Sequence, residues 1–123
     1  MNFPSELKYT NAHTWLRSEG ETVKIGITEY AAGELFDIVF VDLPEEGTEV
    51  TAGETFTEIE STKTAVEVPC PVSGKIVAVN TLLDDEPEAI NAGAYDAWIV
   101  EICPDGALPD DLLDAAAYAE VCG

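Results

Sequence analysis

The sequence is poor in positive charge. Against 25 acidic residues it sets only Lys8, Arg17, Lys24, Lys63 and Lys75, for a formal net charge of −20 over 123 residues. A field of that sign repels nucleic-acid phosphates and anionic membrane surfaces, so neither is expected as a partner. Long apolar runs are missing too, and no stretch approaches the roughly 18 residues that a membrane-spanning helix needs. The opening Met1-Asn2-Phe3-Pro4-Ser5-Glu6 lacks a basic segment followed by an apolar one. No secretory signal is therefore expected, and the chain is placed in the cytoplasm. Histidine occurs once, as His13, without a paired nucleophile. Acid–base or triad catalysis thus has little support, and His13 is read as a surface or half-buried packing residue. Cysteine is scarce and odd in number: Cys70, Cys103 and Cys122 form no C-x-x-C or Cys/His cluster, which argues against a zinc site and a disulfide framework. Cys103 closes an apolar run and is expected to be a buried small hydrophobe, whereas Cys122 is expected to be reachable by solvent. The glycines lack a phosphate-loop arrangement.

What is present fits one modest core. Hydrophobic residues make up 46% of the chain and are spread along it, so a single domain over residues 1–123 is expected. The acidic excess has two compatible readings: solubility in a salty or alkaline cytoplasm, where counterions screen self-repulsion, and steering toward basic docking surfaces.

Strand signals are short and separated by turn residues. Val23–Ile27 alternates, and Thr28 then caps a short helix over Glu29–Ala32 that ends near Gly33. Asp37–Leu43, Thr55–Glu60, Ala65–Val68, Lys75–Asn80 and Ala97–Cys103 read as further strands, and Pro71-Val72-Ser73-Gly74 reads as a turn. Trp15 and Trp98 are core or partner-facing aromatics. At the C-terminus, Pro109, Asp110 and Asp111 open an amphipathic helix over 112–121, with Leu113, Ala117 and Val121 on the face that covers the β body. A weak internal repeat matches Glu49–Gly53 and the strand after it to Ala89–Gly93 and the strand after that. The repeat predicts a pseudo-symmetric sandwich of two small sheets, with Lys63 in the link between the units, at a hairpin tip pointing away from the core.

Lys63 is the lysine whose surroundings look arranged. It lies in a neutral stretch, Ser61-Thr62-Lys63-Thr64-Ala65, between acidic strands. A lysine that an enzyme must acylate has to protrude between small or polar neighbours, and Ser61, Thr62 and Thr64 meet that need. The plain alternative is an ordinary exposed turn lysine. Glu58 and Glu60 are either plain strand carboxylates or part of what a modifying enzyme recognises.

Glu60–Ala65, followed by Pro71-Val72-Ser73-Gly74-Lys75-Ile76, resembles the lipoyl-lysine hairpin of glycine cleavage system H proteins. Tyr9–Leu16, Gly26–Ala31, Asp37–Pro44 and Leu112–Tyr118 resemble further blocks of that family in the same order. The resemblance implies a mainly β fold, the lipoyl-domain sandwich (barrel-sandwich hybrid), with short helices and a C-terminal helix. It also implies a non-catalytic carrier, monomeric, with lipoate on Lys63 as a swinging arm flanked by Glu60, Ser61, Thr62 and Thr64. Biotin carriers share the general fold but usually place methionine beside the lysine; here the only methionine is Met1, so lipoate is favoured. A non-lipoylated structural relative is the third alternative.

The chain departs from the family pattern at several places. Phe36 stands where H proteins commonly have Gly, and Thr14 where they commonly have Glu. Asn91–Trp98 lacks the proline usual before the tyrosine and the glycine usual before the tryptophan, with Ala94 and Ala97 there instead, and Val66–Pro69 also differs. These departures tip the expected pathway toward H-like lipoate-binding proteins of sulfur oxidation. Such proteins would work with a heterodisulfide-reductase-like complex, after modification by a lipoylating enzyme. The alternative is a glycine cleavage H protein that carries the aminomethyl group between the P, T and L proteins.

Overall fold

The computed structural model describes residues 3–106, 108 and 112–122. Alternating apolar and polar residues give the strands β1 (Lys8–Tyr9), β2 (Thr14–Glu19), β3 (Thr22–Ile27), β4 (Ile38–Val41), β5 (Glu49–Val50), β6 (Thr55–Ser61), β7 (Ala65–Pro69), β8 (Gly74–Val79) and β9 (Val100–Pro104). They pair into a six-stranded sheet of order β1-β2-β3-β9-β8-β5 and a three-stranded sheet of order β4-β6-β7. Every pairing is antiparallel. The helices are α1 (Glu29–Leu35), α2 (Leu82–Asp85), α3 (Ala89–Ala92) and α4 (Ala115–Cys122).

The period of two along each strand sorts side chains onto two faces. Ile25, Ile76, Val100 and Ile102 of the larger sheet meet Ile38, Val41 and Ile59 of the smaller one in a single buried cluster. Fully burying an aliphatic side chain of this kind contributes roughly 1.5–3 kcal/mol, and this cluster is the main source of stability. A second cluster of Leu7, Tyr9, Trp15 and Tyr118 lies beneath the N-terminal segment and α4. There Tyr9 and Tyr118 stack with centroids 4.7 Å apart.

Two glycines are required by close approach. Gly26 is the cross-strand partner of Trp15, and a Cβ there would lie 2.8 Å from the indole ring. Gly74 starts β8, and a Cβ there would lie 2.3 Å from the Cys103 carbonyl oxygen.

Several expected boundaries move. Thr28 caps α1, its Oγ1 accepting from Ala31 N at 3.3 Å, but the helix runs past Gly33 to Leu35. Gly33 is exposed, and a Cβ there would meet nothing within 4 Å, so the position requires no glycine. The repeat element Ala89–Gly93 is not a turn, because Ala89–Ala92 is the helix α3. The last strand begins at Val100, not Ala97. Cys103 is exposed rather than buried, because alternation along β9 gives the core to Ile102. The C-terminal helix begins at Ala115. Pro109, Asp110 and Asp111 lie outside the described residues, and Asp114 Oδ1 accepts from Ala117 N at 2.8 Å at the start of the helix. Leu113 lies ahead of the helix and bridges Tyr9 through paired backbone hydrogen bonds of 2.8 Å. Tyr118 is the residue that α4 buries, and Val121 stays 46% exposed. No local pattern predicts the strands β1 and β2.

Candidate lipoyl-lysine site

Lys63 sits at the tip of the β6–β7 hairpin. The ladder runs from Thr55↔Pro69 to Glu60↔Ala65. Beyond it, Ser61 N donates to Thr64 O at 2.8 Å, leaving Thr62 and Lys63 as the loop. Two-residue hairpins favour turns with positive φ, normally supplied by Gly or Asn. Among the described residues the only non-glycine positive φ values are at His13 and Phe36, so this tip closes otherwise. The Ser61 hydroxyl completes it, with Oγ accepting from Lys63 N at 3.2 Å and Thr64 N at 3.1 Å and donating to Thr64 O at 3.0 Å. Ser61 is therefore structural as well as small. Thr62, Lys63, Thr64 and Ala65 are exposed.

The base of the tip rests on the junction between α1 and β4. Thr62 N donates to Asp37 O at 3.0 Å. Asn91, at the third position of α3, clamps the same junction with both ends of its amide: Nδ2 donates to Phe36 O, and Oδ1 accepts from Ile38 N at 2.9 Å. One side chain thus imitates a neighbouring strand and fixes the platform on which the hairpin stands. Asn91→Ala is expected to destabilise the protein by about 1–2 kcal/mol through these lost bonds. It should also speed amide exchange at Ile38 and Thr62. Unchanged exchange at both amides would remove the clamp from the account.

The Lys63 side chain does not extend freely. Its Nζ donates to Glu34 O, at the carbonyl end of α1, at 3.4 Å, and lies 5.0 Å from the Phe36 ring centroid. Glu34 also rims a groove of about 470 Å³ lined by His13, Ile27, Tyr30, Leu35, Val66 and Glu67. The groove joins apolar walls to a few polar groups beside the lysine, as a site for a mostly apolar arm requires.

Among the residues lining that groove is His13, whose Nδ1 meets the buried Tyr118 OH at 2.8 Å, and Tyr118 OH meets Thr28 Oγ1 at 2.7 Å. Burial pushes the Tyr118 phenol well above the ordinary tyrosine range, so it stays protonated. The order Thr28 to Tyr118 to His13 gives each hydroxyl proton an acceptor and leaves the ring proton on Nε2.

Burial lowers the His13 pKa from its ordinary 6.5, partly opposed by the Glu34 carboxylate. The unfolded chain therefore takes up this proton first as pH falls. The His13 contribution to stability is intact above about pH 6.5 and is lost as pH drops toward the lower folded-state value. His13→Asn, which tolerates the local φ of 65°, is expected to show a smaller fall in urea midpoint between about pH 8 and about pH 5.5 than the parent. Equal falls in both proteins would exclude His13 as a contributor.

Of the residues singled out in sequence, Ser61, Thr62, Lys63 and Thr64 come together at the tip. Glu60 is exposed one ladder position below, opposite Ala65. Glu58 stands directly opposite Glu67, a like-charge pair that opposes local pairing and leaves acid on the outer face of the hairpin. The cysteines take no part. Cys70 is buried, its Sγ donating to Val72 O at 3.1 Å and its thiol pKa raised by burial, and all three cysteines are free. Glu34 and Tyr118 carry no sequence signal for the site, and Phe36 and Asn91 stand out only as departures from the family pattern, without the roles the structure gives them. Asn91 lies 53 and 55 residues from its partners, so no local spacing could have flagged it. Phe36 carried a signal, as a bulky residue in place of the family's glycine.

Comparison with known proteins agrees with this geometry. A family model described as glycine cleavage H-protein matches residues 7–123. The chain is 52% identical to the glycine cleavage system H protein of Staphylococcus haemolyticus, over 100% of this chain and 99% of that one. It is 53% identical to the protein of the same name from Geobacillus kaustophilus, over 96% and 94%. The crystal structure of a glycine cleavage system H protein from Mycobacterium marinum superposes with a TM-score of 0.86 at 39% identity, covering 96% of this chain and 97% of that one. These relatives favour the glycine-cleavage alternative over the expected sulfur-oxidation assignment, and nothing among them supports a heterodisulfide-reductase-like partner. With its two-sheet sandwich, short helices and exposed hairpin lysine, the chain belongs to the glycine cleavage H-protein family, whose members are lipoyl carriers without catalytic activity of their own.

Proposed function

We propose that Lys63 is the lipoylated residue and that the chain carries the aminomethyl group of glycine between the P, T and L proteins of glycine cleavage. The observation that carries this reading is the placement of Lys63 within a chain of that family. It is an exposed lysine at the outermost point of a tightly closed hairpin, flanked by hydroxyl residues and beside a groove. The other described lysines lie within paired strands, Lys8 in β1 opposite Leu16. Lys75 is held in the β8 ladder between Glu49 and Cys103, and Lys24 pairs with Glu19 at 3.5 Å and lies 5.0 Å from the Trp98 ring centroid.

A lipoyl group fits the residues present: the tip offers a primary amine with small neighbours, and that amine donates to the backbone of Glu34, a residue that lines the groove. When bound, the group supplies a dithiolane that opens reductively to take up the aminomethyl cargo and is later re-oxidised. The protein presents the arm on a rigid hairpin, and the acids Glu58, Glu60 and Glu67 set a negative surface around it that suits basic docking sites on successive partners. Contacts with three partners in turn must be weak enough to release.

The test is reconstitution. Chain produced in a lipoylation-competent host should gain the lipoyl mass at Lys63. With P protein, it should then support exchange of labelled bicarbonate into glycine. A chain that gains the mass but supports no exchange would overturn the glycine-cleavage assignment, and one that gains no mass would overturn the carrier reading itself.

A further inference from the structure

Phe36 is held in an unusual state. Its backbone has φ 61° and ψ −136°, a conformation that side chains other than glycine rarely adopt. The residue is 59% exposed, so burial does not offset the strain. The conformation persists because its neighbours over-determine it: Asn91 holds Phe36 O and Ile38 N, and Thr62 N holds Asp37 O. A glycine would fill this corner without strain. What the ring adds is a face toward Lys63, whose Nζ lies 5.0 Å from its centroid while donating to Glu34 O.

We propose that Phe36 is a positioning residue for the Lys63 side chain, a latch that acylation releases. In the unmodified chain the ammonium is attracted by the negative ring face on one side and by the carbonyl end of α1 on the other. Both attractions depend on the positive charge. The ε-ammonium first gives one proton to solvent, which frees the lone pair; acylation then forms an amide C–N bond, expels the leaving group of the acyl donor and releases a second proton. The neutral amide that results keeps one N–H but no charge, so the pull of the ring face and of the helix end is lost and the arm leaves the end of α1. The modification thus frees the side chain it lengthens. The released arm rests on the proposed role of Lys63, whereas the latch on the unmodified amine does not.

The first experiment uses unmodified full-length chain and limiting acetic anhydride, with peptide mass spectrometry reading acetylation of Lys63 relative to Lys75. Phe36→Gly is expected to raise that ratio by about two- to five-fold, the size of an exposed cation–π contact. Phe36→Leu, apolar but without a π-face, should rise with it, and Phe36→Tyr should stay at the parent value. A ratio unmoved by both Gly and Leu would overturn the latch, as would a Tyr variant that behaves like Gly. The second experiment compares nuclear Overhauser contacts between the Phe36 ring and the Lys63 ε-methylene before and after acylation. They should weaken, and equal intensity would overturn the release. Because acetic anhydride needs no lipoylating enzyme, a chain that is never lipoylated still reports on the latch.

Discussion

Lys63→Arg is expected to abolish lipoylation and reduce carrier-dependent glycine–bicarbonate exchange to the level seen without any carrier. The substitution is chosen because it leaves the fold undisturbed. Arginine keeps the positive charge near Phe36 and the end of α1, and the hairpin closes through Ser61 and Thr64, not through the lysine side chain. What it removes is chemistry. A guanidinium stays protonated at any ordinary pH and offers no free amine pair to attack an activated acyl group. Lys75→Arg is the matched control, since Lys75 lies within paired strands and should be dispensable. Intact mass and the exchange assay report separately. An adduct that persists in Lys63→Arg would transfer the role to another lysine.

The largest expected loss of stability comes from Trp15→Ala, at about 3–5 kcal/mol. Trp15 is fully buried, and its Nε1 donates to Ala94 O at 3.0 Å, joining β2 to the segment just after α3. Truncation leaves a large cavity in the second cluster and a buried carbonyl without its donor. The indole lies over Gly26, where a Cβ would sit 2.8 Å from the ring. Gly26→Ala is therefore expected to cost about 1–3 kcal/mol by overpacking. The two sites share one space, so the double variant should cost less than the sum of the singles. Urea midpoints at one fixed salt concentration are the measurement, because a net charge of −20 makes stability depend on screening. Strict additivity would show that the ring does not constrain position 26.

Much of this molecule is legible in its sequence. Alternation marks Val23–Ile27, the strands flanking the hairpin and the body of β8, because a strand with one buried face must repeat with period two. Thr28 announces α1, since a hydroxyl ahead of a helical stretch satisfies an orphan N–H. The lysine at the tip is legible from its small neighbours and from the blocks that resemble the H-protein family.

Other features follow no local rule. Gly33 ended a helix in the sequence reading and lies inside one in the structure, because an isolated exposed glycine weakens a helix only modestly. Cys103 continued an apolar run yet faces outward, because alternation outranks the polarity of a single residue. Spacing at Leu113, Ala117 and Val121 predicts the C-terminal helix. The strand-like pairing of Leu113 with Tyr9 and the burial of Tyr118 against Tyr9 reset both its start and its face.

By itself the sequence determined the class of fold, the hairpin and the residue at its tip, all consequences of short-range pattern and side-chain chemistry. The tertiary structure alone decided what surrounds that residue: the Asn91 clamp, the strained backbone of Phe36, the Glu34 carbonyl and the groove that His13 lines. Those groups lie on different elements and meet only when the sheets close. Their cooperation depends on distance in space, which linear spacing does not encode.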